Sequence, residues 1–195
     1  MKKRVFIIHG WDDSPAGSWF PWLKSKLEDE GWQVEVPAMP DPGQPDIGRW
    51  VEALADAVGE PEKQTYFVGH SVGCQTIIRY LERLPSSIRV GGAVLVGGWL
   101  NLKPAAIEDN ESKAIAEPWL TEPIDWSKVR AHLPKVIAIM SDNDPYVPLS
   151  DGALWQKNLA AELVLERQKG HMNSDGDGVT ELPSALEAIH RLVGK

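Results

Sequence analysis

The chain has 195 residues, 43% hydrophobic and 25% charged, the values of a soluble globular domain long enough for a full core. A formal net charge of −8 argues against binding to nucleic acid or anionic lipid, which needs a basic face, and the only Lys/Arg cluster is Lys2-Lys3-Arg4. The single cysteine, Cys74, rules out an intrachain disulfide, and no apolar run approaches the length of a membrane span, so a cytoplasmic protein is expected.

The apolar run Arg4 to Ile8, ending in His9-Gly10, reads as a fully buried parallel strand rather than a signal peptide, being too short for an apolar leader core. Ser18 is placed to cap a helix with Trp19, Trp22, Leu23 and Leu27 at helical spacing, stopped by Gly31. A short strand, Trp32 to Val36, leads into a Pro-rich loop. Asp46 caps a helix whose apolar face is Ile47, Trp50, Val51, Leu54 and Val58. The stretch Thr65 to Gly73 reads as a strand running into a sharp turn, followed by a helix from Cys74 to Leu84. Ala93 to Val96 is another buried strand.

Residues 99–135 break the pattern, with Pro104, Pro118, Pro123 and Pro134 and no clean period. They read as an excursion with short helices near one rim of the sheet. Val136 to Met140 is a strand, Leu149 to Ala161 a helix, Glu162 to Leu165 a strand, and Thr180 is placed to cap a final helix. Strands and helices alternate throughout, so the expected fold is a single α/β domain over 1–195, with a mostly parallel sheet, helices on both faces and no large lid.

The sharp turn carries Gly69-His70-Ser71-Val72-Gly73, a Gly-x-Ser-x-Gly between a strand and a helix. This is the context of a nucleophile elbow, in which a strained turn lifts the serine hydroxyl above the sheet. The bland alternative is a βα turn with an incidental serine. A nucleophilic serine needs a base, and the base needs an orienting carboxylate. Of the histidines, His171 alone is both late in the chain and at the end of a strand. His70 sits inside the elbow, His132 lies in the excursion and His190 lies on the last helix. For the acid, Asp144 precedes a rigid Pro-x-Val-Pro turn, while Asp142 competes and could instead shape the turn through backbone bonds. The oxyanion hole is expected from the backbone N–H groups of Val72 and of Trp11, just past His9-Gly10. Cys74 reads as a small buried residue. Trp11, Trp99 and Trp119 either line an acyl site or are ordinary core aromatics. Nothing suggests a metal site, a phosphate loop or any other cofactor.

The segments His9-Gly10-Trp11, GHSVGCQTIIRYLE at 69–82, SDNDPYVP at 141–148 and GHMN at 170–173, with Trp19 to Leu23 and Met39-Pro-x-Pro42, resemble the small serine hydrolases of the retinoblastoma-binding protein 9 group, including bacterial YdeN-type members. The resemblance spans nearly the whole chain. It implies a compact α/β-hydrolase fold and, by matching motifs, the triad Ser71, Asp144 and His171. The Leu-x-Cys-x-Glu motif associated with retinoblastoma binding is absent around Cys74, so that partner is not implied. The expected function is hydrolysis of small-molecule carboxylic esters, with thioesters and small amides included, through an acyl-enzyme. A non-catalytic binding module on the same fold is the alternative.

Overall fold

The computed structural model describes residues 2–194. Its centre is a six-stranded sheet in which every pair is parallel: β1 (Arg4–Ile8), β2 (Gln33–Glu35), β3 (Thr65–His70), β4 (Gly92–Val96), β5 (Val136–Ser141) and β6 (Glu162–Glu166). The spatial order is β2-β1-β3-β4-β5-β6. The chain runs outward from β1 to β2, crosses back to β3 on the other side of β1, and then proceeds outward to β6. The crevice at the carboxyl ends of β1 and β3 is therefore the topological switch point, where parallel α/β sheets place their sites.

Side-chain alternation along the strands builds a core on each face. On one face, Phe6, Ile8, Phe67, Leu95 and Met140 pack with α2 (Ile47–Val58), α3 (Val72–Glu82), α5 (Trp126–His132) and α6 (Asp151–Leu159). On the other, Val5, Ile7, Val68, Val94 and Ile139 meet α1 (Phe20–Asp29) and α8 (Pro183–Val193). Burying each such side chain contributes about 1.5–3 kcal/mol, which makes these layers the main source of stability. No helix among the described residues is long and apolar enough to cross a membrane.

Several boundaries differ from the sequence expectation. Ser18 does not cap α1. Its φ is +47° and its hydroxyl donates to Asp13 at 2.8 Å, so the helix starts one residue later, behind Trp19, with Pro21 in its first turn. Thr180 likewise does not cap α8, which begins at Pro183 after Leu182. Asp46 does cap α2, accepting from the Arg49 N–H at 2.9 Å. The excursion contains a 3₁₀ turn (Pro104–Ala106), α4 (Asn110–Thr121) and α5. Asp109 and Asp125 cap these two helices, and Pro118 sits inside α4. α7 (Ser174–Asp177) is a single turn, capped by Asn173.

Candidate active site

The elbow between β3 and α3 forces Ser71 into φ 54°, ψ −123°, a conformation that costs a non-glycine residue about 1–3 kcal/mol and persists only when its surroundings fix it. Here they do. The Ser71 N–H donates to the Val96 carbonyl at 2.9 Å, and the Ser71 carbonyl accepts from the Cys74 N–H at 3.0 Å. The flanking glycines are steric necessities. A Cβ on Gly73 would lie 2.4 Å from the Ile8 carbonyl oxygen, and one on Gly69 would lie 2.7 Å from the Cys74 nitrogen. Ser71 therefore stands at the amino end of α3, where the helix dipole favours negative charge.

His171 follows β6 in a tight loop flanked by Gly170 (φ +56°) and Met172 (φ +59°). Its Nδ1 lies 2.8 Å from Oδ2 of Asp144, and both side chains are buried. The other Asp144 oxygen accepts from the N–H groups of Tyr146 and Val147 at 2.8 and 2.9 Å. The Asp-Pro-Tyr-Val turn thus supplies its own donors and holds the carboxylate toward His171. With Nδ1–H donated to Asp144, Nε2 is left as the basic nitrogen of the neutral ring.

Asp142 has a different task. Its Oδ1 accepts from the Gln168 N–H at 2.8 Å, Asn143 Oδ1 accepts from the Gly170 N–H at 2.8 Å, and Ser141 Oγ accepts from the Lys169 N–H at 3.3 Å. Consecutive side chains at the end of β5 and in the loop after it thereby clamp the main chain leading to His171. Asp142 joins one loop to the other, rather than shaping its own turn.

His70 is turned to the main chain of the His171 loop. A carbonyl oxygen only accepts, so the His70 Nε2 carries a proton and donates it to the His171 carbonyl at 2.8 Å. The next carbonyl, Met172, accepts from Trp19 Nε1 at 3.0 Å. Burial first, and then the neighbouring His171, push the His70 pKa down to about 4. Sequence reasoning set His70 aside as a base and did not detect this bracing role, because the contact spans 101 residues.

His9 is also buried and held neutral. Its Nε2 accepts from the Met39 N–H at 3.0 Å, so Nδ1 is the protonated nitrogen and donates to the Gly10 carbonyl at 2.9 Å. Burial lowers its pKa. Because a peptide unit is planar and trans, fixing the Gly10 carbonyl also fixes the direction of the Trp11 N–H. Neither this N–H nor that of Val72 has an acceptor among the described residues. The remaining histidines lie elsewhere. His132 binds the Ile88 carbonyl at 2.9 Å, and His190 meets Glu30 at 2.7 Å.

A cleft of about 590 Å³ opens over these groups. Gly10, Ser71, Tyr146 and His171 all line it, so the loops after β1, β3, β5 and β6 share one rim. Of the candidate tryptophans, Trp11 and Trp99 line the cleft. Trp119 does not: it is buried in the core, with its Nε1 donating to the Pro45 carbonyl at 2.9 Å. From the excursion, Leu102, Ala105, Ala106 and Ile115 form an apolar wall. Cys74 is fully buried and its thiol pKa is raised by desolvation, which makes it inert packing. Among the described residues, no group of three or more His, Cys, Asp or Glu is arranged to hold a metal ion.

A family model described as serine hydrolase matches residues 5–191. The chain belongs to the serine hydrolase family. It is 31% identical over 189 residues to the hydrolase YdeN of Bacillus subtilis (strain 168), covering 97% of this chain and 95% of that one. It is 26% identical over 167 residues to the serine hydrolase RBBP9 of Rattus norvegicus, covering 85% and 84% of the two chains. The crystal structure of the B. subtilis ydeN gene product superimposes with a TM-score of 0.90 at 30% identity, with both chains fully covered. These matches agree with the α/β-hydrolase fold expected from the sequence.

Proposed function

We propose that this serine hydrolase cleaves carboxylic esters, with thioesters and small amides as related substrates, through an acyl-enzyme on Ser71. The observation that carries the reading is the buried 2.8 Å contact between Asp144 and His171, with His171 lining the same cleft as the strained Ser71. His171 Nε2 takes the Ser71 proton as Oγ attacks the acyl carbon, and returns it to the leaving oxygen as the tetrahedral intermediate collapses. Asp144 holds the tautomer and stabilises the imidazolium. Water, deprotonated by the same imidazole, then releases the acid and restores Ser71. The N–H groups of Trp11 and Val72 hold the oxyanion, a service that contributes about 3–4 kcal/mol when one such donor is deleted.

A fluorophosphonate probe tests this reading. The expected result is an adduct located by mass spectrometry on Ser71, abolished in Ser71→Ala, together with hydrolysis of p-nitrophenyl esters. Folded protein that neither labels nor turns over any ester would discard it in favour of a non-catalytic role.

A further inference from the structure

Past the end of β4 the chain crosses from Gly98 to Lys103, and every residue of this crossing but Leu102 is hydrogen-bonded to another element. The Gly98 carbonyl accepts from Trp155 Nε1 at 3.0 Å, and the Trp99 carbonyl from Gln75 Nε2 at 3.1 Å. Asp151 Oδ2 accepts from the N–H groups of Leu100 and Asn101 at 2.6 and 2.7 Å, and its Oδ1 from Asn101 Nδ2 at 2.8 Å. Asp151 is fully buried at the start of α6. A buried carboxylate is costly unless donors surround it, and all three donors here come from the crossing.

The far end of the crossing grips the turn of the proposed acid. The Lys103 N–H donates to the Tyr146 carbonyl at 2.8 Å, and its Nζ donates to the Asp144 carbonyl at 2.5 Å. Among the described residues, no main-chain N–H donates to that carbonyl, and no carboxylate pairs with the ammonium. A charge-assisted bond of this kind is roughly twice as strong as a neutral one. The oxygen it holds belongs to the planar peptide between Asp144 and Pro145, so holding it fixes the rotation of the main chain that carries the carboxylate.

We infer that Lys103 is a positioning residue for Asp144, and that Asp151 acts through it by keeping the crossing in place. This rests on the hydrolase reading. Neither Lys103 nor Asp151 lines the cleft, so both act on turnover rather than on substrate binding. A small displacement of Asp144 moves the partner of His171 Nδ1, and rates are sensitive to misplacement on that scale.

The test is a mutant cycle read with p-nitrophenyl acetate. Lys103→Met keeps the chain length and the main-chain bond to Tyr146 but deletes the Nζ donor. Its kcat is expected to fall about tenfold, with KM changed less than about twofold. Lys103→Arg retains a charged donor and should recover about half of the parent kcat or more. Asp151→Asn sets an amide donor against the N–H groups of the crossing and should lower kcat by a similar factor. The double variant should lose little more than the larger single loss, whereas independent residues would multiply to about a hundredfold. Near-UV circular dichroism establishes that each variant is folded. If Asp151→Asn does not fold, the Met and Arg variants at 103 decide the matter. An unchanged kcat in Lys103→Met, an effect on KM alone, equal damage in Lys103→Arg, or multiplied losses in the double variant overturns the inference and leaves the hydrolase reading standing. A parent protein that neither turns over the ester nor labels at Ser71 removes both.

Discussion

His70 holds the main-chain carbonyl of His171 at 2.8 Å, with the two imidazole rings 4.9 Å apart. The residue before the nucleophile therefore braces the residue proposed as its base. His70→Phe leaves a buried carbonyl unpaired and lets the loop shift. The expected losses are about 1–3 kcal/mol of stability and roughly a hundredfold in kcat. His70→Gln, which can present a donor in the Nε2 position, should recover much of both. Urea unfolding and ester kinetics on the two variants check this, and equal damage in both would count against the bracing role.

The same residue makes stability depend on pH. In the unfolded chain His70 titrates near 6.5, whereas in the fold it stays neutral until about 4. Below 6.5 the unfolded state takes up a proton that the folded state refuses. Stability present above that pH is therefore lost as pH falls to about 4, by up to about 3 kcal/mol from this group. His9, also lowered by burial, adds in the same direction. Unfolding free energies measured between these limits should fall less steeply in His70→Gln than in the parent.

The two aspartates of the Ser-Asp-Asn-Asp loop should separate cleanly. Asp144→Asn keeps the shape but loses the charge that selects the His171 tautomer, and is expected to lower kcat by on the order of 10⁴. Asp142→Asn preserves an acceptor for the Gln168 N–H. It should cost under about 1 kcal/mol of stability and only a small factor in rate. Steady-state kinetics on the pair decides it, and a comparable kcat loss in both would reassign the acid.

Gly73 tests the elbow itself. An added Cβ would meet the carbonyl oxygens of Ile8 and His9 at 2.4 and 2.7 Å, and backbone in a central strand cannot step aside. Gly73→Ala is expected to cost roughly 3 kcal/mol or more, the range of overpacking against a rigid neighbour. Gly48→Ala is the control: an added Cβ there comes no closer than 3.3 Å, to the Asp46 side chain. Melting temperatures of the two variants give the comparison.

Much of this was legible in sequence because it is local. The elbow is a five-residue pattern, β1 and β5 are continuous apolar runs, and Asp144 is followed directly by the Pro-Tyr-Val turn that supplies its donors. The unread parts depend on distant contacts. Ser18 looked like a helix cap, but Asp13 takes its hydroxyl in a loop that also meets Ser174. In sequence Trp119 fits either a pocket wall or the core, and the fold places it in the core against Trp50 and the Pro45 carbonyl. In the excursion, two aspartate caps and burial of Ala116 and Val129 organise helices that carry little periodicity of their own.

The clamp between the loops after β5 and β6 has an asymmetry with consequences for sequence drift. Its acceptors are the side chains of Ser141, Asp142 and Asn143, while its donors, apart from a longer 3.3 Å bond from Gln168 Nε2 to Asp142, are main-chain N–H groups. Every amino acid but proline brings that hydrogen. Position 169 can therefore exchange its lysine for almost anything without loosening His171, whereas the three residues opposite are tied to their oxygens. Variation can accumulate on one bank of the loop pair while the other stays fixed, and a proline at 169 is the change to which the site is most vulnerable there.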